Sequence, residues 1–94
     1  MIRSFRDQET AWLFTGRPSP RVPPDIVRRA MAKLLQINAA ASLADLKVPP
    51  GNRLERLSGD RQGQYSIRVN DQWRICFQWK DGHAHDVEMV DYHR

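Results

Sequence analysis

Between Tyr65 and Phe77 the chain alternates apolar and polar residues. Tyr65, Ile67 and Val69 are set against Ser66, Arg68 and Asn70, and Trp73, Ile75 and Phe77 against Arg74, Cys76 and Gln78. This period of two predicts two strands, each with one buried face. Asn70-Asp71-Gln72 supplies turn chemistry between them, so the two runs form a hairpin. Its register follows from keeping the apolar sides together: Val69 opposite Trp73, Ile67 opposite Ile75 and Tyr65 opposite Phe77. A slip of one residue would bring Val69 against Arg74 and mix the faces. The same register sets Arg68 across from Arg74, and like charges facing each other on a strand pair are unfavourable. Either the pair receives an anion such as a phosphate, or each guanidinium turns to solvent or to an acid among Asp91, Glu88 and Asp60.

Ahead of the hairpin the pattern changes. Met1 to Phe5 reads as a short strand with Ile2 and Phe5 apolar. Asp7 suits the N-cap of a helix that runs to Phe14 and stops at Gly16. The segment Gly16 to Pro24, GRPSPRVPP, holds four of the chain's six prolines. It excludes helix and central strand and predicts an extended, mobile connector, a surface for RNA or a partner being the alternative. From Pro24 to about Ala41 runs the strongest helix, since Pro24 and Asp25 suit a first turn. Ile26, Val27, Ala30, Met31, Leu34, Leu35 and Ile37 recur at helical spacing, with Arg28, Arg29, Lys33 and Gln36 on the other face. Ser42 begins a further short turn of helix before Pro49-Pro50-Gly51.

Leu54 to Leu57 reads as a strand, and Ser58 to Gly63 as a turn. Asp81-Gly82 forms a tight turn. Ala84 to Tyr92 is the last strand, with Val87 and Met89 on one side and Glu88, Val90 and Tyr92 on the other. This order predicts an α+β fold in a single domain spanning residues 1–94. An N-terminal strand and two helices pack on one face of a curved antiparallel sheet. The other face must then carry Ser66, Arg68, Arg74, Cys76 and Glu88 or Tyr92, and an uncovered sheet face is a binding surface.

Composition narrows the class. The length, 94 residues, suits one core. No apolar run is long enough to cross a membrane, the opening MIRSFRD has no apolar signal region, and Cys76 is the only cysteine. A cytoplasmic protein without membrane contact is expected. The formal charge is +4, with nine Lys/Arg against four Asp/Glu up to Arg53 and six against seven after it. Such a balance favours a polyanion, either nucleic acid or an acidic partner. His83, His85 and His93 lack acids at ligand spacing, so neither metal nor cofactor is expected. Cys76 reads as a small filler of the sheet surface, and Trp12, Trp73 and Trp79 read as core. Arg61 holds its turn through Asp60 or a carbonyl, or contacts RNA.

Three stretches carry a family resemblance: NRLERLSGDRQGQYSIRVNDQWRICFQW, the closing VEMVDYH and the opening MIRSF. Together they resemble the HigB branch of the RelE/ParE toxin superfamily, the toxins of type II toxin–antitoxin pairs. PPGNRLE, RVNDQWR and VDYH are most similar to its GraT type. The resemblance covers the whole chain in length and element order.

It implies a RelE-like fold and a metal-free mRNA endonuclease working in the ribosomal A site. There the ribose 2′-hydroxyl attacks the adjacent phosphate and translation and growth stop. It also implies neutralisation by a HigA-like helix-turn-helix antitoxin, with operator DNA bound only through the toxin–antitoxin complex. By the same resemblance the catalytic positions are Arg68, Arg74, Asp91, Tyr92 and His93. Arg56 and Arg61 are the expected RNA contacts. Arg68 and Arg74 are charge stabilisers, and Tyr92 and His93 form a proton-transfer and stacking pair. One departure stands out. Where family members have LHPLKGDR this chain has LERLSGDR, so Glu55 occupies the place of a histidine and Ser58 that of a lysine. Two other readings share the fold: a ParE-like gyrase poison without nuclease activity, and an inactive fold that only binds its antitoxin.

Overall fold

A computed structural model describes residues 1–92. Helix α1, Gln8–Phe14, starts where Asp7 accepts hydrogen bonds from the Thr10 backbone N and hydroxyl, both at 2.7 Å. The buried Thr10 hydroxyl in turn accepts from the Met89 backbone N at 3.0 Å, so the cap that begins the helix also fastens it to the sheet. Helix α2, Pro24–Ala39, opens on proline at its first position and turns Ile26, Ala30, Leu34 and Ile37 inward. It ends two residues short of the expected limit, because Ala40 is extended at φ −65°, ψ 129°. The Asp45 carboxylate then accepts from the backbone N of Ala41 (2.9 Å) and Ser42 (3.1 Å) and opens a 3₁₀ turn, Leu43–Lys47.

Four antiparallel strands follow: β1 Glu55–Arg56, β2 Gln64–Arg68, β3 Trp73–Lys80 and β4 His83–Asp91, adjacent in chain order. The hairpin has the register that its apolar pattern requires, with Tyr65 opposite Phe77, Ile67 opposite Ile75 and Arg68 opposite Arg74. Asp81 and Gly82 make the second tight turn, both left-handed at φ 54° and 79°. The core lies between the helices and one sheet face. Leu13, Ala30, Leu34 and Ile37 meet Ile67, Ile75, Phe77, Val87 and Met89 there, all fully buried.

Two local features differ from the sequence-based expectation. The N-terminal strand is an irregular parallel neighbour of β4, bridging Ile2 to Ala84 and Phe5 to Val87. The irregularity matches a bulge in β4. Three residues of β3, Cys76 to Gln78, lie against four of β4, Glu88 to His85, with Asp86 left-handed at φ 51°. That extra residue lets Ala84 and Val87 both point into the core.

The proline segment, in turn, is held rather than mobile. Ser19 and Val22 are buried, and the Ser19 hydroxyl donates to Glu9. Arg21 donates to the Met89 carbonyl at 3.2 Å, pairs with Glu9 at 3.5 Å and lies 5.9 Å from the centre of the Trp73 ring. A turn closed by the Val22 backbone N on the Ser19 carbonyl at 3.2 Å bends the segment, and Arg21 fastens it to α1 and β4.

Candidate active site

The open sheet face carries the side chains that alternate away from the core: Glu55 on β1, Ser66 and Arg68 on β2, Arg74 and Cys76 on β3, and Glu88 on β4. Arg74 is the anchor. Its side chain is 11% exposed. Its Nε donates to the Ser66 hydroxyl at 2.9 Å, and a terminal nitrogen donates to the Arg53 carbonyl at 2.8 Å and the Ser66 carbonyl at 3.4 Å. Glu55 stands 3.9 Å from the same guanidinium. Arg53 can offer its carbonyl because it is left-handed at φ 45°, directly after a short turn at Pro50–Asn52.

That turn is itself tied down by Asn52, which is fully buried. Its amide donates to Gln36 Oε1 (3.0 Å) and to the carbonyls of Leu46 (3.2 Å) and Val48 (3.3 Å). Its oxygen accepts from Lys33 Nζ at 2.6 Å. A chain of hydrogen bonds thus runs from α2 through Asn52 and Arg53 to Arg74. The sequence reading missed Asn52, although its place after Pro49-Pro50-Gly51 marked a turn.

Arg68 faces Arg74 across the hairpin but is held differently. Its partner is the carboxylate of Asp71, and neither Asp91, Glu88 nor Asp60 is paired with it. The clash expected from the register is therefore relieved by one nearby acid for each guanidinium, Asp71 and Glu55. Both acids line a cleft of about 670 Å³ with Arg68, Arg74, Asn70, Gln72 and Tyr92.

Tyr92 walls this cleft and a second of about 510 Å³, lined by Leu57, Ser58, Asp60, Arg61, Val90 and Asp91. The Tyr92 backbone N donates to the Gln72 carbonyl at 2.6 Å, its ring centre is 6.0 Å from the Arg74 guanidinium, and its hydroxyl lies 3.6 Å from Cys76 Sγ. Partial burial, and then the contact with Cys76, push the phenol up to about 12. Tyr92 is therefore a proton-bearing hydroxyl at neutral pH. Because the fold favours the neutral phenol, its contribution to stability is complete below about pH 10 and is lost as pH rises from there toward 12. In Tyr65→Phe, which leaves one tyrosine of two, phenolate absorbance is expected to develop near pH 12. A midpoint near 10, the value of a free tyrosine, would contradict it.

The other expected residues are placed as follows. Asp91 lines the second cleft and accepts from Gln72 Nε2 at 3.3 Å. Arg61 lines it too, donating to Glu88 at 3.0 Å and Gln64 at 3.1 Å in place of the expected Asp60 or carbonyl partner. Arg56 is not brought into either cleft. Its neighbour Glu55 takes the open face, and Arg56 lines a separate apolar groove with Leu43, Leu54 and Tyr65. His93 lies outside the described residues. Cys76 is buried, as a filler would be, and burial raises its thiol. Trp73 is in the core, whereas Trp79 is only partly buried against it, and Trp12 stacks under Arg17 with the guanidinium 4.4 Å from its ring centre. No helix among the described residues is long and apolar enough to cross a membrane.

Residues 3–93 match the family model described as RelE-like toxin of type II toxin–antitoxin system HigB. Toxin HigB-1 of Vibrio cholerae serotype O1 is 40% identical over 85 residues, covering 89% of this chain and 90% of the relative. Endoribonuclease HigB of Proteus vulgaris is 36% identical over 93 residues, covering 99% of this chain and all of the relative. In overall shape the chain is similar to a chain of the YoeB–YefM complex from Staphylococcus aureus. The TM-score is 0.62 at 16% identity, covering 100% of this chain and 99% of that one. A sheet face bearing paired arginines, the fold that presents it and sequence similarity over nearly the full length agree, and the chain belongs to the HigB family of RelE-like toxins of type II toxin–antitoxin systems.

Proposed function

We propose that the chain is a ribosome-dependent mRNA endonuclease that cuts in the cleft between Arg68, Arg74 and Tyr92. The observation that carries this reading is the convergence of two guanidiniums and a protonated phenol on one open sheet face. In the proposed reaction the ribose 2′-oxygen attacks the adjacent phosphorus and the bond to the 5′-oxygen breaks. A cyclic 2′,3′-phosphate and a 5′-hydroxyl result. Negative charge grows on the phosphoryl oxygens, where fixed guanidiniums stabilise it. Arginine stays protonated and cannot take the 2′-hydroxyl proton.

Of the two carboxylates that line the cleft, Asp71 is paired with Arg68, and Glu55, in the place where family members have a histidine, accepts that proton. Tyr92 offers a ring for stacking and a hydroxyl for the phosphate. His93, which the terminal motif marks for proton transfer, then returns a proton to the 5′-oxygen, with Asp91 orienting its imidazole. The proposed partners are mRNA in the ribosomal A site and a HigA-like antitoxin, which places the toxin in the cytoplasm. Arg61 faces the flanking nucleotide across Tyr92, and Arg56, on a separate surface, contacts ribosomal RNA.

Primer extension on cellular mRNA after induction tests the reading. Discrete cleavage sites are expected from the native chain and none from Tyr92→Phe. DNA breaks with an SOS response and intact mRNA would favour gyrase poisoning instead. Glu55→Gln is expected to slow cleavage by about a hundredfold or more with the melting temperature kept, measured on programmed ribosomes. An unchanged rate would leave the proton acceptor elsewhere.

A further inference from the structure

Arg68 and Arg74 face each other, yet only one is fixed. Arg74 is held by the Ser66 hydroxyl and two backbone carbonyls, all neutral groups of the frame. Arg68 is held by the Asp71 carboxylate, three residues on, across the hairpin turn. The Asp71 side chain is 98% exposed and that of Arg68 30%. A pair this open to water is weakly held.

The turn does not depend on Asp71. Its closing bonds come from Asn70, whose side-chain oxygen accepts from the backbone N of Gln72 at 2.9 Å and of Trp73 at 2.7 Å. Asp71 thus adds little to the fold, while its carboxylate occupies one of the cleft's two cations. A phosphodiester carries the same charge and presents the same two-oxygen fork to a guanidinium. With Asp71 and Glu55 in place, the two arginines of the cleft are matched by two acids and it has no surplus charge to draw in RNA from solution.

We propose that Asp71 is a built-in competitor for the RNA phosphate at Arg68, so that the cleft engages a strand only when that strand's phosphate displaces the Asp71 carboxylate. The proposal rests on the reading of this cleft as an RNA phosphate site. Its consequence is selectivity. A freely moving RNA meets a neutral cleft and binds weakly, whereas a strand already held in position presents its phosphate at high effective concentration and wins the exchange. Arg74 is oriented by its carbonyl and hydroxyl partners, with the Glu55 carboxylate 3.9 Å away, so its guanidinium stays in place while Arg68 makes the exchange.

The test uses the full chain and a short 2′-O-methyl RNA oligonucleotide, which has no attacking hydroxyl. Binding is followed by NMR titration at fixed salt, including the Arg68 side-chain N–H signal. Asp71→Asn is expected to tighten binding about two- to fivefold, the range set by an exposed ion pair. Asp81→Asn removes the same charge at the far tight turn, where asparagine tolerates the left-handed backbone, and is expected to change binding little. Arg68→Ala is expected to weaken it. If Asp71→Asn binds no tighter than Asp81→Asn while Arg68→Ala still weakens binding, the competitor is refuted and the phosphate site stands. If Arg68→Ala binds RNA as well as the native chain, the phosphate site falls and the competitor with it.

Discussion

Arg74→Ala is expected to lower mRNA cleavage on the ribosome by about a hundred- to a thousandfold, the usual effect of removing one fixed donor from a centre of developing charge. Growth inhibition on induction is expected to vanish with it. The effect comes from how Arg74 is held. Its side chain is almost entirely buried and bonded along its length, so its charge is already placed when the substrate arrives. Arg74→Lys is expected to resemble alanine. A lysine has one nitrogen and cannot reach the Ser66 hydroxyl and the Arg53 carbonyl together while also offering a donor to phosphate. Arg68→Ala is expected to cost less, because Arg68 already shares its charge with an exposed acid. Cleavage on programmed ribosomes measures all three variants, and circular dichroism checks that they fold. An Arg74→Ala variant that folds and still cuts within tenfold of the native rate would remove Arg74 from the reaction.

Asn52→Ala is expected to destabilise the fold by about 3 kcal/mol, since it strips partners from the buried carbonyl of Leu46, the part-buried carbonyl of Val48 and Lys33. Asn52→Asp keeps the acceptor for Lys33 but loses every donor and sets a carboxylate against two carbonyls. It is expected to be no milder. Urea unfolding measures both. The same substitutions are expected to reduce cleavage even where the chain remains folded, because the Arg53 carbonyl that orients Arg74 is the next residue along. A loss of stability below about 1 kcal/mol would mean that Asn52 is a passenger in its turn.

Much of this was legible in the order of residues. The hairpin register could be read because only one alignment keeps Val69, Ile67 and Tyr65 against Trp73, Ile75 and Phe77, and that alignment alone put Arg68 beside Arg74. Helix α2 was legible through its spacing and its opening proline, and α1 through Asp7. What stayed hidden depended on contacts between distant segments. The two arginines take Asp71 and Glu55 as neighbours, because side chains at the turn and on β1 reach the same face. Asn52 looked like one more turn residue, and only packing of α2 against the following turns makes it a hub. Arg21 looked like a charge on a loose loop until β4 offered it a carbonyl. The bulge at Asp86 left no mark in a pattern read on period two, since the extra residue lets Ala84 and Val87 share a side.

The parallel bridges made by the first residues bear on how such a sheet meets its surroundings. Strand β4 would otherwise end the sheet with a long row of open amides and carbonyls, ready to recruit a foreign strand, but Met1, Arg3, Ser4 and Arg6 take up its free bonding positions at Ala84 and Val87. At the far side the boundary is β1, two residues long and charged at both. Among the described residues, one border is thus covered at these positions and the other is short and charged, which makes both poor templates for another strand. Copies of the protein that accumulate without their inhibitor are thereby less open to stacking into fibrils.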